Sequence, residues 1–188
     1  MAPTVSRRSF LASLAVGLPM LAAAPAALAS GLDVATAAAM PGPRELKFLH
    51  THTGERLAVE YFTGRAYVPD ALSTVNHFLR DFRTGEVHDI DAGLLDLLHH
   101  LAGLTETGKP FQVISGFRSP HTNAMLRQKS EGVAAGSLHM VGQAIDIRLA
   151  DVPLAKLRKA ALSVKRGGVG YYPASDFVHV DTGRVRFW

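Results

Sequence analysis

A carboxylate interrupts an apolar run of this sequence, Ala144-Ile145-Asp146-Ile147. The run predicts a buried strand, and a buried carboxylate is unfavourable unless it is paired or bound to a cation. The fold must therefore bring a partner to Asp146. His139 lies seven residues earlier, and His179 lies in a second predicted strand. His179 and Asp181 are two residues apart, so their side chains project from one face of that strand.

These residue types favour a metal site. Spacing alone is weak evidence, because a lone histidine is more often a surface or core residue than a ligand. The metal hypothesis depends on the two strands, each of which places a ligand-type side chain on a buried face. Two histidines and one aspartate would leave a fourth position for water, which is the catalytic rather than the structural zinc arrangement. The sequence has no cysteine, which excludes disulfides, thiolate zinc sites, cysteine nucleophiles and lipid-anchored lipoproteins.

The first residues predict an export signal. Ser6-Arg7-Arg8-Ser9-Phe10-Leu11 places two arginines ahead of an apolar stretch, and Ala27-Leu28-Ala29 matches a cleavage site. We predict a twin-arginine signal over residues 1–29 and a flexible lead-in, rich in Ala, Gly and Pro, over residues 30–43. A membrane anchor is the alternative, but the apolar stretch has about fifteen residues where a span needs about twenty. We therefore expect no stable membrane anchor after the signal is cleaved.

The net charge gives no reason to expect a nucleic acid partner. The formal charge of +4 falls to +2 when Arg7 and Arg8 leave with the signal, since residues 1–29 contain no acidic side chain. No long block of like charges is present. A basic face of the last predicted helix could assist the approach to an anionic polymer, although a solvated helix surface is the simpler interpretation. The residues of this face are Lys156, Arg158, Lys159, Lys165 and Arg166.

Residues 44–188 predict one α+β domain. Apolar side chains at helical spacing predict helices, and short or alternating apolar runs predict strands. The expected strands are Glu45–His50, Arg56–Phe62, Phe111–Ile114, Ala144–Leu149, Val169–Tyr172, Phe177–Asp181 and Val185–Trp188. The expected helices run from Pro69 to about Phe82, from a cap at Asp91 through Leu101, from Ser119 to Lys129 and from Pro153 to Val164, with a loop over Gly132–Val141.

Several separated blocks give the chain a family resemblance. The pattern S-x-H-x-x-G-x-A-x-D over Ser137–Asp146, followed by H-x-D at His179–Asp181, resembles the signature of the M15 family of zinc peptidases. Further blocks resemble the murein endopeptidase K branch of that family, and the likeness extends from about Leu46 to Trp188. These blocks are His52–Glu55, Asn76–Asp81, Ser115–Ser119 and Gly167–Tyr172.

The resemblance implies a fold and a ligand set. The fold would be the hedgehog/DD-peptidase fold, a small α+β domain with a central antiparallel sheet flanked by helices. His139, Asp146 and His179 fall on the family's three zinc ligands. Arg118 matches an arginine that faces the substrate carbonyl, where it would stabilise developing negative charge. A salt-bridged or solvated arginine is the alternative for this residue.

Two aspartates compete for the role of general base. Asp176 lies three residues before the last ligand, at a position where related dipeptidases have a glutamate, and its side chain is one methylene shorter. Asp181 could orient a ligand histidine or act as the base itself. We predict Asp176 as the base and Asp181 as its supporting residue.

The resemblance also implies a function, that of an exported zinc metallopeptidase that acts on peptidoglycan in the periplasm as a monomer. Its expected substrate is the cross-linking peptide, and the expected bond is the 3-3 (L,D) cross-link between diaminopimelate residues. Cleavage of 4-3 cross-links by a D,D-endopeptidase, or of a terminal D-Ala by a carboxypeptidase, is the alternative within the class. A non-catalytic peptidoglycan-binding module of the same fold is the alternative outside it. No motif in the sequence selects the bond.

The other histidines favour ordinary positions. His50 and His52 are two residues apart on a predicted strand and could form a second metal pair, but exposed hairpin residues are the simpler interpretation. His99 and His100 are adjacent, so they face different sides of a helix and suggest no site. His121 follows a helix start and could line a cleft.

Overall fold

Seven strands of the described residues form one mixed sheet, accompanied by four α-helices. The computed structural model describes residues 42–129 and 132–188, so the predicted signal peptide and residues 30–41 of the predicted lead-in lie outside it. The strands are β1 (Arg44–His50), β2 (Arg56–Phe62), β3 (Phe111–Ser115), β4 (Ala144–Arg148), β5 (Gly168–Tyr172), β6 (Phe177–Asp181) and β7 (Arg186–Phe187). The helices are α1 (Pro69–Phe78), α2 (Ala92–Thr105), α3 (Pro120–Lys129) and α4 (Leu154–Val164).

The strand order across the sheet is β2-β1-β3-β4-β6-β5-β7. The central strands β3, β4, β6 and β5 pair antiparallel, and so do β1 and β2. However, β1 is parallel to β3, and β5 is parallel to β7. The prediction of an antiparallel sheet is therefore wrong at these two pairs. Parallel neighbours need a long connection between them, and both pairs have one, since other strands or helices intervene in the chain.

Alternation along the central strands separates the core from the opposite face of the sheet. Ile145 and Ile147 of β4 and Val178 of β6 are buried in the hydrophobic core. Asp146 lies between the two isoleucines and so projects from the other face. The register of β4 and β6 pairs Asp146 directly with His179. The carboxylate that interrupts the apolar run thus meets a histidine rather than the core.

Helix α2 is apolar on most sides, and most of its surface is buried. Asp91 caps it as predicted, since its carboxylate accepts the backbone N–H of Gly93 at 2.8 Å. The helix packs against α4 and β1, and each fully buried leucine contributes about 1.5–3 kcal/mol to folding. These leucines are Leu94, Leu95, Leu97, Leu98 and Leu101. Within the described ranges, no helix combines the length and the apolarity that a membrane span requires.

Helix α1 ends at Phe78 rather than at the predicted Phe82. The carbonyl of Leu79 accepts a hydrogen bond from the backbone N–H of Phe117 at 2.8 Å. The helix therefore ends where Leu79 bonds a loop that is distant in the sequence. Apolar spacing does not reveal such a contact.

Candidate metal centre

His139 is fixed by a short 3₁₀ turn, Leu138–Val141, that ends at Gly142. Gly142 has a φ of +66°, and a Cβ there would lie 2.0 Å from the carbonyl oxygen of Asp89, so the turn requires glycine. The imidazole is buried, and its Nδ1 lies 2.7 Å from the carbonyl oxygen of Gly116. Because a carbonyl only accepts hydrogen bonds, Nδ1 carries the proton and the lone pair remains on Nε2.

The paired strands β4 and β6 bring Asp146 and His179 to the same point. Nδ1 of His179 lies 2.9 Å from Oδ1 of Asp146. Nε2 of His139 lies 3.2 Å from each of these two atoms. All three side chains are buried. The structure therefore brings together the three residues that the sequence predicts as metal ligands, and their role as ligands stays a prediction.

The carboxylate of Asp181 fixes the other side of the His179 ring. Its Oδ2 accepts from Nε2 of His179 at 3.0 Å and from Nη2 of Arg186 at 2.7 Å. Its Oδ1 accepts the backbone N–H groups of Gly168 at 2.8 Å and Gly183 at 2.9 Å. Burial would raise the pKa of Asp181, but the hydrogen bonds from His179 and Arg186 outweigh it and hold the pKa well below its usual range. His179 therefore donates through Nε2 and directs Nδ1 at Asp146, and this nitrogen carries a lone pair when the ring is neutral.

Three acceptor atoms consequently face one another. They are Nε2 of His139, Nδ1 of His179 and Oδ1 of Asp146, and they lie within 4.8 Å of one another. Such an arrangement is unfavourable unless a cation, either a proton or a metal ion, lies among them. Tetrahedral ligands about 2.0–2.2 Å from zinc are roughly 3.3 Å apart, which is close to the spacing observed here. The donor set thus fits zinc, and residues 42–129 and 132–188 contain no other group of this kind.

The pKa values place the positive charge of this group on His179. Burial lowers the pKa of His139, so that ring stays neutral. Burial also opposes the charge on His179, but the hydrogen bonds to Asp146 and Asp181 outweigh it and raise its pKa to about 9. Burial would raise the pKa of Asp146, but His139 and His179 hold it well below its usual range. A metal ion that binds here would displace the proton from His179.

Arg118 lies beside the same carboxylate. Its Nη2 is 3.4 Å from Oδ2 of Asp146 and 3.3 Å from Oγ of Ser115, and its Nε has no hydrogen-bond partner among the described residues. Burial lowers its pKa and Asp146 raises it, while the guanidinium remains charged at any physiological pH. The buried carboxylate of Asp81 holds the loop by accepting the backbone N–H of Ser119 at 2.9 Å. Arg118 is therefore a fixed cation with an unused donor.

A cleft of about 500 Å³ opens over the three acceptor atoms. Its lining includes Arg118, several residues of the segment 132–138, and the aromatic side chains of Tyr172, Phe177 and Trp188. A cleft of this size, with a few polar groups among apolar ones, suits a small ligand or a short peptide.

Comparison with known proteins identifies the family. A model of M15 peptidases described as peptidoglycan L,D-endopeptidase MepK matches residues 38–188. The chain is 51% identical to peptidoglycan L,D-endopeptidase MepK of Escherichia coli (strain K12) over 148 residues, which are 79% of this chain and 81% of the relative. It is 45% identical to the probable peptidoglycan L,D-endopeptidase MepK of Haemophilus influenzae over 149 residues, 79% and 80% of the two chains. The chain belongs to the MepK family of M15 peptidases. The family resemblance predicted from the sequence motifs is thus confirmed.

Asp176, the predicted general base of this MepK-family site, is exposed and does not line the cleft. The side chain of Asp176 is 62% exposed, and its Oδ2 is 2.8 Å from Nη1 of Arg148. Its neighbours Ser175 and Phe177 contribute to the cleft lining, whereas Asp176 does not. The role of Asp176 as general base stays a prediction, and it requires the carboxylate to leave Arg148.

The sequence did not single out three side chains that line the cleft of this MepK-family member. Tyr172 is predicted only as part of a strand and of the block Gly167–Tyr172, and Arg186 and Trp188 are predicted only as parts of the last strand. Arg186 and Trp188 are two residues apart, as are His179 and Asp181, so strand alternation could have placed both on one face of the sheet.

His50 and His52 do not form a second metal pair. Nδ1 of His50 accepts the backbone N–H groups of His52 and Thr53 at 3.2 Å and 3.3 Å. The His52 ring stacks on Phe82, with centroids 4.5 Å apart. His52 is exposed as predicted, but His50 is buried, so the prediction of an exposed hairpin residue is wrong for His50. It shares the inward face of β1 with Phe48, which alternation along the strand explains.

Proposed function

We propose that this chain is an exported, zinc-dependent peptidoglycan endopeptidase that hydrolyses the 3-3 (L,D) cross-link between diaminopimelate residues. The observation that carries the proposal is the set of three buried acceptor atoms beneath an open cleft. Membership of a family whose relatives are named peptidoglycan L,D-endopeptidase MepK supports the class of substrate and bond.

The proposed zinc ligands are Nε2 of His139, Oδ1 of Asp146 and Nδ1 of His179, with the cleft as access for a fourth ligand. Zinc bound there would supply Lewis acidity and lower the pKa of a water ligand to about 7. The carbonyl of Gly116 and the carboxylate of Asp181 hold the two imidazoles in the tautomers that present these nitrogens. The protein thereby fixes the ligand atoms before any metal binds.

Arg118 and Asp176 are the proposed partners of the substrate. Arg118 would donate to the carbonyl oxygen of the scissile amide, where negative charge grows as water adds to the carbon. Asp176 would accept a proton from that water and pass it to the amine as the C–N bond breaks. For this step the Asp176 carboxylate must exchange Arg148 for water, and an exposed ion pair resists this by only about 0–1 kcal/mol.

The export and domain assignments form part of the same proposal. The twin-arginine motif supports a signal over residues 1–29 and export to the periplasm. The proposal assigns the lead-in to residues 30–43 and the peptidase domain to residues 44–188, and it takes this domain to act as a monomer. We assign the hedgehog/DD-peptidase fold to this domain. The α+β architecture and the M15 membership support that assignment.

A digest of defined muropeptides tests the proposed reaction. Zinc-loaded protein is incubated with purified 3-3 and 4-3 cross-linked dimers, with and without a chelator, and the products are identified by mass spectrometry. We expect chelator-sensitive loss of the 3-3 dimer alone. Loss of the 4-3 dimer, or release of a terminal D-Ala, would favour a D,D-peptidase. Bound zinc without cleavage of any of these substrates would favour a peptidoglycan-binding module.

Metal analysis of variants tests the proposed ligands separately. His139→Ala and His179→Ala should bind no zinc and should cleave no dimer. His121→Ala is the matched control, because His121 is exposed and does not contribute to the cleft lining. Full zinc content in purified His179→Ala would show that the ligand set is wrong, whatever the activity.

A further inference from the structure

Trp188 lies in the cleft beside His179. It follows β7, and its backbone N–H donates to the carbonyl of Val169 at 3.2 Å while its carbonyl accepts from Tyr171 at 3.1 Å. The sheet thus fixes its backbone, and the indole lies on the face of the sheet that carries the three acceptor atoms. The centroids of the indole and the His179 ring are 5.3 Å apart. The Arg186 guanidinium lies over the indole, 5.1 Å from its centroid, yet Trp188 is 47% exposed and contributes to the cleft lining.

The indole occupies the space that a side chain at Gly170 would fill. A Cβ at Gly170 would lie 2.8 Å from two indole carbons and 2.9 Å from Nε1. Gly170 is the register partner of His179, so the absence of a side chain there lets the indole lie beside the histidine. A glycine weakens the interior of a strand, and a half-exposed ring adds little to a core. The arrangement is therefore better explained by a ligand than by folding.

The indole N–H prepares a hydrogen-bond donor in the cleft. Nε1 of Trp188 donates to the hydroxyl oxygen of Tyr172 at 2.7 Å. The Tyr172 ring is held by stacking on Phe177, with centroids 4.5 Å apart. Since Nε1 can only donate, the phenolic hydrogen takes no part in this bond and is available to an acceptor. A hydroxyl that already accepts a hydrogen bond is a stronger donor.

We propose that Trp188 and Tyr172 form a substrate-binding wall that fixes the residue next to the scissile bond. This inference rests on the function proposed above. The wall offers an apolar ring surface to an aliphatic side chain and one O–H donor to a carbonyl or carboxylate oxygen. Diaminopimelate has both features, since a methylene stem separates its polar ends. Trp188 and Tyr172 therefore determine substrate affinity and specificity rather than the chemical step.

Kinetics on the 3-3 dimer separate binding from chemistry. Trp188→Ala should raise KM by about tenfold or more and change kcat by less than about threefold, with zinc content unchanged. Tyr172→Phe, which removes only the hydroxyl, and Trp188→Phe, which keeps a ring but removes the N–H donor, should each raise KM about threefold to tenfold. Phe187→Ala is the matched control: Phe187 is the adjacent aromatic residue, is 71% exposed and does not contribute to the cleft lining, so KM should stay within about twofold.

Fluorescence reports binding independently of turnover, because Trp188 is the only tryptophan in the chain. Zinc-loaded wild type, Tyr172→Phe and Phe187→Ala are each mixed rapidly with the 3-3 dimer. Each protein should show a saturable change in emission before cleavage. Half-saturation should need a higher dimer concentration in Tyr172→Phe than in the other two proteins. The proposal of a substrate-binding wall is refuted if wild type cleaves the dimer with no change in emission. It is also overturned if Trp188→Ala retains its KM, or if that variant loses zinc, since the ring would then support His179. A saturable change in emission without cleavage would support the substrate-binding wall and refute the proposed hydrolysis. If the dimer is not cleaved and the emission does not change, both proposals are refuted.

Discussion

Asp181→Asn replaces the carboxylate behind His179 with a nearly isosteric amide. Asp181 is fully buried, at 0% exposure, and accepts from at least four N–H groups. Its Oδ1 accepts from the backbone of Gly168 and Gly183 and from Nη1 of Arg186, and its Oδ2 accepts from His179 and from Nη2 of Arg186. An amide has a single oxygen, so its NH₂ group must face one of these two sets of donors.

At least two donors lose their acceptor in either orientation of the amide. A buried donor without a partner costs about 1–3 kcal/mol, so the free energy of unfolding of the zinc-free protein should fall by about 2–6 kcal/mol. That is a large share of the roughly 5–15 kcal/mol by which small domains are stable. If His179 is a zinc ligand as proposed, zinc affinity should also fall about 10–100-fold, because the carboxylate that orients this histidine has been lost.

Urea unfolding followed by circular dichroism measures the stability change, and competition with a chromophoric chelator measures the zinc affinity. Asp151→Asn is the control, since Asp151 is exposed and accepts from the Thr107 hydroxyl. It should change the stability by no more than about 0.5 kcal/mol. The reasoning is refuted if Asp181→Asn costs less than about 1 kcal/mol and leaves zinc affinity unchanged, because the buried hydrogen bonds would then not support the site.

Three further predictions concern the base, the turn and a buried histidine. If Asp176 is the base, Asp176→Asn should lower kcat at least about 100-fold with zinc retained. Arg148→Gln, which removes the salt-bridge partner of Asp176, should change kcat less than about tenfold. Equally small effects of the two substitutions on kcat would contradict the role of Asp176 as base. Gly142→Ala should lower the free energy of unfolding, measured in urea, by more than about 1 kcal/mol, because Gly142 has a φ of +66° and a Cβ there would meet the carbonyl of Asp89. An unchanged midpoint of urea unfolding would disprove this. Burial lowers the pKa of His50, so this residue binds more protons in the unfolded chain than in the folded one, and its contribution to the stability in urea should fall as the pH falls from about 7.5 to about 5. His50→Asn should reduce this dependence, and an equal slope in both proteins would argue against His50 as its source.

Asp146 and His179 could be predicted because each lies in a short strand with a clear local pattern, whereas His139, which lies in a turn, is indicated by the family motif. Asp146 interrupts an apolar strand, and His179 lies in a strand whose apolar residues alternate with polar ones. Alternation fixes the face on which a side chain lies, and burial of a carboxylate demands a partner. The ends of β2 and β6 agree with the prediction for the same reason, since both strands are defined by local alternation.

The remaining features depend on contacts between residues that are distant in sequence. The parallel pairing of β1 with β3 is a choice of neighbour, and apolar periodicity gives the period of a strand but not its neighbour. The early end of α1 depends on the bond between Leu79 and Phe117. The carboxylate of Asp176, the predicted base, is engaged by Arg148, and nothing in the local sequence around Asp176 indicates that partner.

Strands β4 and β6 contribute to the core and to the site at once. Their apolar residues, such as Ile145 and Val178, are fully buried, and close packing leaves little freedom for the alternate residues on the other face. The spacing of the acceptor atoms of Asp146 and His179 is therefore set by the packing of these strands. Adjustment of the site is left to residues that contact the three acceptor residues, such as the buried Asp181, and to residues in the cleft, such as Trp188. Substitutions at these two positions should accordingly differ in kind, since the first acts on metal affinity and stability and the second on substrate affinity.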